Sequence, residues 1–265
     1  MEIRTPFKAR ERILLYGGPG VGKSRAVLCA ARSIPSAQFY VVDNDLSYGR
    51  LLETEFDDLR NVTVFDVDSD DWEEQLDAAQ KASDECGPDD WFVFDMLTET
   101  WQAVQSWFTE KVFGVDHADY FMQLRIQKEA QKEKERRPVH MINDDRWVVI
   151  NRQYKKLQRT VLTCKGHVIC TSEAASIDSS FDDKETKSEF GEYGLKPKGQ
   201  KRWAHIFSTV LLLKKSRSGV WSMTTVKDRG RTEMLDKPIS DFAKDYLMLV
   251  AGWRPVRKPK QEDEE

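Results

Sequence analysis

The sequence predicts an α/β fold in which a mostly parallel sheet is flanked by helices and followed by a late antiparallel hairpin. Short runs of β-branched and aromatic residues alternate with helical segments, which is typical of a helix-covered parallel sheet. The first of these runs leads into a glycine-rich loop and then a helix, at residues 13–32. Two apolar runs near the end are joined by a short turn at residues 216–219, which indicates a hairpin.

The elements follow one another in a regular order. Five apolar runs are predicted strands of the parallel sheet, at residues 13–16, 39–42, 62–65, 91–95 and 167–171. Helices are predicted at 25–32, through 72–79 until Cys86-Gly87-Pro88 ends the segment, and between about 97 and 165. The charged run 127–137, stopped by Pro138, is expected to be solvated and to project from the domain. The hairpin strands are 209–213 and 221–226.

Length and composition favour a single domain. With 265 residues, 40% of them hydrophobic, the chain can bury one α/β core but hardly two independent ones. We expect this domain to span residues 1–253, with a charged helical insertion at about 110–146 and a mobile loop at about 174–200. The tail 254–265 is basic and then acidic, which predicts disorder.

Composition excludes several classes of protein. No apolar stretch approaches the roughly 20 residues of a membrane span, and the N-terminus lacks a signal-peptide pattern, so a soluble cytoplasmic protein is expected. The four cysteines are scattered and the four histidines lack metal-ligand spacing, which argues against a disulfide framework and a zinc site. A net charge of −4 gives no global attraction to nucleic acid, so any such binding needs a local basic patch.

The glycine-rich loop carries the most specific functional information. Its residues fit the phosphate-binding pattern G-x-x-x-x-G-K-[ST], between a predicted strand and a helix: Gly17, Gly18, Pro19, Gly20, Val21, Gly22, Lys23 and Ser24, with Arg25 opening the helix. Glycines allow backbone N–H groups to turn toward a phosphate, and the helix N-terminus adds partial positive charge. Lys23 would reach the β- and γ-phosphates, and Ser24 would complete a Mg²⁺ shell. The expected ligands are ATP and Mg²⁺.

Three acidic residues complete the predicted nucleotide site. Asp95 ends an apolar strand, where its carboxylate could hold Mg²⁺ through water beside the loop. Asp43 and Asp45 follow the second strand and would point to the same side if the extended backbone continued through Asn44. One of them could orient and deprotonate the attacking water, but a solvated Asp-Asn-Asp turn fits the sequence as well.

Two cations lie together at the end of the predicted hairpin. Lys227 and Arg229 alternate onto one face, which suits delivery of two positive charges to one phosphate cluster. If that cluster belonged to a neighbouring subunit, they would neutralise charge on its γ-phosphate in the transition state. A solvated basic turn is the alternative.

A basic segment after the predicted mobile loop is a candidate for DNA contact. Its cations could neutralise phosphates and its aromatic residue could stack on a base; the candidates are Lys196, Lys198, Lys201, Arg202 and Trp203. The acidic stretch 178–192 opposes this hypothesis, and a plain solvated loop with Trp203 in the core fits equally well.

The order of these pieces resembles the RecA/RadA-type core ATPases, and within them the phage-encoded Sak-type RecA-like ATPases of single-strand annealing recombination. The resemblance covers about residues 10–235. It implies a RecA-like P-loop NTPase that works with single-stranded DNA and assembles into a ring or filament. A single-strand binding protein or an annealing protein in the host cytoplasm is the further partner that the resemblance implies. Asp45 stands at the family's catalytic glutamate and is one methylene shorter, which implies slow, DNA-stimulated hydrolysis. A neutral γ-phosphate sensor often follows the fifth strand; here Ser172 is the better candidate, since Glu173 would be repelled by phosphate.

Two other functional classes remain open at this point. A P-loop kinase of a small metabolite usually carries an Arg-rich lid, and the segment 125–137 is a poor one because it is equally acidic. A nucleotide-gated loader or mediator would use ATP to set assembly, with little turnover.

Overall fold

The computed structural model describes residues 10–132, 144–178, 180, 182–200, 203–216 and 218–248. Part of the predicted charged insertion, two of the DNA-contact candidates, Lys201 and Arg202, and the predicted tail 254–265 lie outside the described residues.

The described residues form nine strands. They are β1 (Arg12–Gly17), β2 (Phe39–Asp43), β3 (Val62–Asp66), β4 (Trp91–Asp95), β5 (His167–Ser176), β6 (Leu195–Pro197), β7 (Thr209–Lys215), β8 (Trp221–Asp228) and β9 (Pro238–Ile239). Each predicted strand is present, and β5 continues five residues beyond its predicted end at Thr171.

Eight α-helices connect these strands. They are α1 (Lys23–Ser33), α2 (Tyr48–Thr54), α3 (Trp72–Glu85), α4 (Leu97–Phe113), α5 (His117–Lys132), α6 (Asp144–Thr163), α7 (Lys184–Phe190) and α8 (Trp203–Ile206), within the described residues. A π-helical segment, Phe242–Met248, packs against α1. In the part of the chain that the structure describes, no helix is both long and apolar enough to cross a membrane.

The strand order is β3-β2-β4-β5-β1-β7-β8-β9, with β6 paired to β5 outside this row. Along this row each neighbouring pair from β3 through β2, β4, β5 and β1 to β7 is parallel. The pairs β7–β8 and β8–β9 are antiparallel. The predicted fold class is therefore confirmed: an α/β fold with a mostly parallel, helix-flanked sheet and a late antiparallel hairpin. β1 and β4 are both paired in parallel with β5, which lies between them. The glycine-rich loop after β1 and Asp95 at the end of β4 are therefore close together at the carboxyl edge of the sheet.

Alternating side chains divide the buried core between the two faces of the sheet. Leu14 and Tyr16 of β1 face one cluster, which also contains residues of α3, α4 and α6. Ile13 and Leu15 face the other, which is covered by α1. The glycine-rich loop connects β1 to α1, so it lies at the end of the face that α1 covers.

The segment 174–200, predicted as a mobile loop, contains regular structure. β5 extends to Ser176 and pairs antiparallel with β6, and α7 lies between them. Phe190 of α7 is buried and meets the ring of Tyr16 edge-on at a centroid distance of 6.1 Å, while the Tyr16 hydroxyl donates to the Leu195 carbonyl at 3.2 Å. The polar sequence concealed these contacts, because only one large apolar side chain anchors the helix.

Candidate nucleotide-binding site

Two glycines of the loop have no room for a side chain. A Cβ at Gly17 would lie 2.5 Å from the Leu213 carbonyl oxygen. Gly22 precedes α1 with a φ of 88°, and a Cβ there would lie 2.4 Å from the Trp221 ring. A positive φ costs an L-residue roughly 1–2 kcal/mol, so the sequence pattern is dictated by backbone shape at Gly22 and by close packing at both positions.

Lys23, the first residue of α1, folds back over the loop. Its ammonium group donates to the carbonyl oxygens of Gly17 at 3.3 Å and Gly18 at 3.2 Å. Burial lowers the pKa of Lys23, while the carboxylates of Asp95, Glu173 and Asp45 raise it. Among the described residues none of these carboxylates is within ion-pair distance of Lys23. A half-buried cation without a direct counter-ion suits an incoming anion.

Ser24, Asp95 and Thr171 meet at the start of α1. The Ser24 hydroxyl donates to Asp95 Oδ2 at 2.8 Å, and the Thr171 hydroxyl donates to Asp95 Oδ1. Ser47 approaches Ser24 with an Oγ–Oγ distance of 3.0 Å. Burial raises the pKa of Asp95, and the hydrogen bonds from Thr171 and Ser24 and the charge of Lys23 act against it.

This donor set fits Mg²⁺. Mg²⁺ prefers hard oxygen ligands, keeps several waters and takes few protein groups together with substrate phosphates. Ser24 and Asp95 supply a hydroxyl and a carboxylate in contact with each other. The described residues contain no group of three or more His, Cys, Asp or Glu side chains that could hold a metal ion. A magnesium ion here would therefore depend on phosphate oxygens and water for the rest of its shell.

The two acids at the end of β2, Asp43 and Asp45, occupy different environments. β2 ends at Asp43, which pairs with Asp95 of β4, and the chain then bends, so the extended continuation through Asn44 does not form. Asp43 is fully buried; its Oδ2 accepts from the Tyr48 N–H at 2.9 Å, and among the described residues its Oδ1 has no hydrogen-bond partner. Burial raises the pKa of Asp43 to about 7, and the Asp45 side chain adds to this rise. Asp45 itself is exposed at the carboxyl edge.

Asn44 ties this turn to the start of α4. Its side-chain amide donates to Gln75 Oε1 at 3.1 Å, to the Met96 carbonyl at 3.0 Å and to Thr100 Oγ1 at 3.0 Å. Its Oδ1 accepts from the Met96 N–H. Asn44 is 2% exposed, so the central residue of the predicted solvated turn is a buried joint between the Asp43 and Asp95 strands.

Thr171, rather than Ser172, faces the loop and Asp95. Ser172 points to the other face of β5, where its hydroxyl donates to the Lys198 carbonyl at 2.8 Å and lies 3.3 Å from Thr98 Oγ1. The sensor hypothesis for Ser172 is therefore wrong on geometry, because neighbouring residues of a strand face opposite ways. Thr171 was missed as a functional residue; a buried hydroxyl on a strand of the ligand-binding edge was its only signal.

A cavity of about 170 Å³ lies beside the loop. Arg25, Trp221, Ser222, Asp241 and Phe242 contribute to its walls. Both oxygens of Glu55 accept from Arg25 Nε at 3.0 Å, which fixes the guanidinium at the entrance. Trp221 was also missed by the sequence interpretation, which treated it only as a strand residue.

Lys227 and Arg229 lie far from the loop of their own chain. Lys227 pairs with Val210, which pairs with Leu14. Leu14 is three residues before Gly17, or about 10 Å at 3.3 Å per residue. Arg229 is farther from the loop than Lys227, because its N–H donates at 2.8 Å to the Ser208 carbonyl, near the start of β1. The two side chains donate to the carbonyls of Ala204 and His205, each at 2.7 Å.

The described DNA-contact candidates are engaged within the chain. Lys196 is paired with the buried Asp182 carboxylate, and Lys198 with Glu173 at 2.6 Å. Trp203 is 3% exposed and stacks on Phe207 at a centroid distance of 5.7 Å. Of the two alternatives that the sequence left open for Trp203, base stacking and a core position, the structure has the core position.

Comparisons with known proteins show a likeness of fold and no match in sequence. No family model matches the sequence, and no curated protein is significantly similar to it. Among solved structures, the chain is similar to a crystal structure of the RadB recombinase, with 16% sequence identity and a TM-score of 0.48. The similarity covers 85% of this chain and 84% of that chain. At this identity the likeness concerns the course of the backbone and assigns no chemistry to individual residues.

Proposed function

We propose that the protein is a RecA-like ATPase of DNA recombination or DNA metabolism, which binds and hydrolyses ATP with Mg²⁺ and acts on single-stranded DNA as an oligomer. The observation that carries the proposal is the contact between Ser24 and Asp95 at 2.8 Å, directly beside Lys23 and the glycine loop. It brings the hydroxyl, the acid and the cation of a phosphate site together from three separate parts of the chain.

The loop itself performs the binding step. Backbone N–H groups between Gly17 and Lys23 would surround the phosphates at the start of α1. Lys23 exchanges the carbonyls of Gly17 and Gly18 for phosphate oxygens, so its charge acquires a counter-ion. Bound Mg²⁺ would neutralise charge that develops on the transferred phosphoryl group. Trp221 and Arg25 border a cavity that would accept the nucleoside.

Hydrolysis in this proposal depends on the edge after β2. Asp45 is exposed there and would orient and deprotonate the attacking water, whereas buried Asp43 supports the turn through the Tyr48 N–H. Aspartate is one methylene shorter than the glutamate of the resembling family, so turnover would be slow. The same observation favours a second candidate, a nucleotide-gated loader or mediator, in which ATP sets assembly and hydrolysis is incidental.

Assembly would complete the site. Lys227 and Arg229 lie at the sheet edge opposite the loop, so they could meet a phosphate only in a neighbouring copy. A ring or filament in which this edge faces the neighbour's loop would place two cations at its γ-phosphate. A phage Sak-type role with an annealing partner in the host cytoplasm is the specific form of the proposal.

The test is steady-state ATP hydrolysis with and without single-stranded DNA, for wild type and Arg229→Ala. Arg60→Ala is a matched control, since Arg60 is also exposed and also donates to backbone carbonyls. DNA stimulation that Arg229→Ala abolishes and Arg60→Ala retains, with nucleotide binding unchanged, supports an assembled motor. Hydrolysis indifferent to DNA and to Arg229 contradicts it. Partner binding that survives Asp45→Ala with ATP still bound would favour the loader.

A further inference from the structure

Glu173 and Lys198 form a doubly connected pair at the mouth of the glycine loop. Glu173 lies in register with Gly17 on the neighbouring strand. Lys198 Nζ contacts Glu173 Oε2 at 2.6 Å, and the Lys198 N–H donates to the Glu173 carbonyl at 2.8 Å. The side chain of Lys198 is 47% exposed and that of Glu173 is 28% exposed, so the pair is open to a ligand.

The pair is on the same side of the sheet as the catalytic candidates. Glu173 follows Thr171 by two residues on β5, and Thr171 donates to Asp95, so alternation brings Glu173 to the face that carries Lys23. Burial lowers the pKa of Lys23, and the charge of Glu173 acts against this together with that of Asp95. Lys23 and the Ser24–Asp95 contact define where terminal phosphates would lie, and Glu173 is on the strand next to the start of the glycine loop, in register with Gly17.

An isolated carboxylate there would oppose a γ-phosphate. Like charges within about 4–6 Å disfavour each other strongly at a partly buried site. Lys198 changes the balance because an ammonium group has three donors and can hold Glu173 and a phosphate oxygen at once. If the pair meets only the terminal phosphate, it would distinguish ATP from ADP.

We infer that Lys198 is the residue that recognises the γ-phosphate, and that Glu173 positions it. This inference rests on the proposed nucleotide function. It assigns γ-phosphate recognition to an ion pair, where the resembling family often has a neutral side chain. Lys198 directly follows β6, and its carbonyl accepts from Ser172 at 2.8 Å. A shift of Lys198 toward phosphate would therefore pull on the β6–α7 segment, which gives nucleotide state a path to that surface.

The experiment measures equilibrium affinities for ATPγS and ADP, each with Mg²⁺, by displacement of a fluorescent nucleotide. Wild type is compared with Lys198→Ala, Glu173→Gln and the double variant. Lys196→Ala is the matched control, since Lys196 belongs to the same segment but pairs with Asp182. Lys198→Gln keeps a donor of similar length without the charge and serves if the alanine variant misfolds.

We expect Lys198→Ala to weaken ATPγS binding at least about tenfold, roughly 1.4 kcal/mol, and to change ADP binding less than about threefold. Adding Glu173→Gln should recover most of the loss, because the opposing carboxylate is then gone. A merely structural role would weaken both nucleotides together and show no recovery. An unchanged ATPγS to ADP ratio in both Lys198 variants overturns the inference while leaving nucleotide binding intact. Wild-type protein that binds neither nucleotide would overturn the proposed function itself.

Discussion

Replacing Thr171 by valine tests the geometry around Asp95, and the chain offers a matched control for it. Thr171 and Thr225 are both fully buried strand residues. The Thr171 hydroxyl donates to the Asp95 carboxylate, whereas the Thr225 hydroxyl has no hydrogen-bond partner in the part of the chain that the structure describes. Valine has nearly the same shape as threonine, so the two substitutions differ mainly in the hydrogen bond that is lost.

The expected magnitudes follow from these partners. A hydrogen bond to a charged group contributes about 1.5–3 kcal/mol, so Thr171→Val should lower the free energy of unfolding by about 2 kcal/mol. For a domain of this size that corresponds to a melting temperature lower by about 4–8 °C. Thr225→Val removes a buried hydroxyl that has no partner, so it should be neutral or stabilising by about 1 kcal/mol.

Thermal and urea unfolding followed by circular dichroism measure the two variants side by side. Mg²⁺-dependent ATP binding should also weaken in Thr171→Val, because the hydroxyl lowers the pKa of Asp95 and its loss favours the protonated acid. Equal stability changes in the two valine variants would refute the assignment of Thr171 to Asp95.

Three further predictions concern the same edge of the sheet. Asn44→Ala leaves the buried Met96 N–H and Gln75 Oε1 without their partner and should cost about 3 kcal/mol of stability by urea unfolding. Asn151→Ala is the control: it removes one intrahelical bond and a long contact from Gln200 at 3.5 Å, and should cost less than about 1 kcal/mol. Gly22→Ala should abolish measurable ATP binding in calorimetry, because Gly22 has a φ of 88° and an added Cβ would lie 2.4 Å from the Trp221 ring. Gly49→Ala, with open space around the added Cβ, should bind normally. Normal binding by Gly22→Ala would contradict the loop geometry. The pKa of Asp43 is raised to about 7, so wild type should lose stability as pH rises from about 4 to about 7, by at least about 1 kcal/mol relative to Asp43→Asn; parallel pH profiles would rule this out.

Local patterns were sufficient to predict the parts of the site that are continuous in sequence. The loop 17–24 combines a strand, a glycine pattern and a helix within a few residues, and Asp95 ends an apolar run. These features depend on neighbouring residues, so the fold class and the acid at the strand end could be predicted directly. The alternation between strands and helices gave the sheet for the same reason.

The rest of the site depends on pairing between distant strands. Thr171 meets Asp95 only because β5 lies between β1 and β4, and the sequence does not state that order. Asn44 reads as a turn residue, yet its amide satisfies three partners from α3 and the start of α4. Trp203 follows a basic run, but its ring lies in the core. In each case a long-range contact overrides the local preference.

Calorimetric titration of Mg²⁺ and ATP into wild type, Lys23→Ala and Ser24→Ala tests whether the glycine-rich loop is a nucleotide site. We expect saturable binding by wild type and loss of binding in Lys23→Ala. In Ser24→Ala we expect binding that no longer depends on Mg²⁺, because Ser24 and Asp95 would share the ion. Heat signals that are the same for all three proteins, or no binding by folded wild type, would contradict a nucleotide site at this loop.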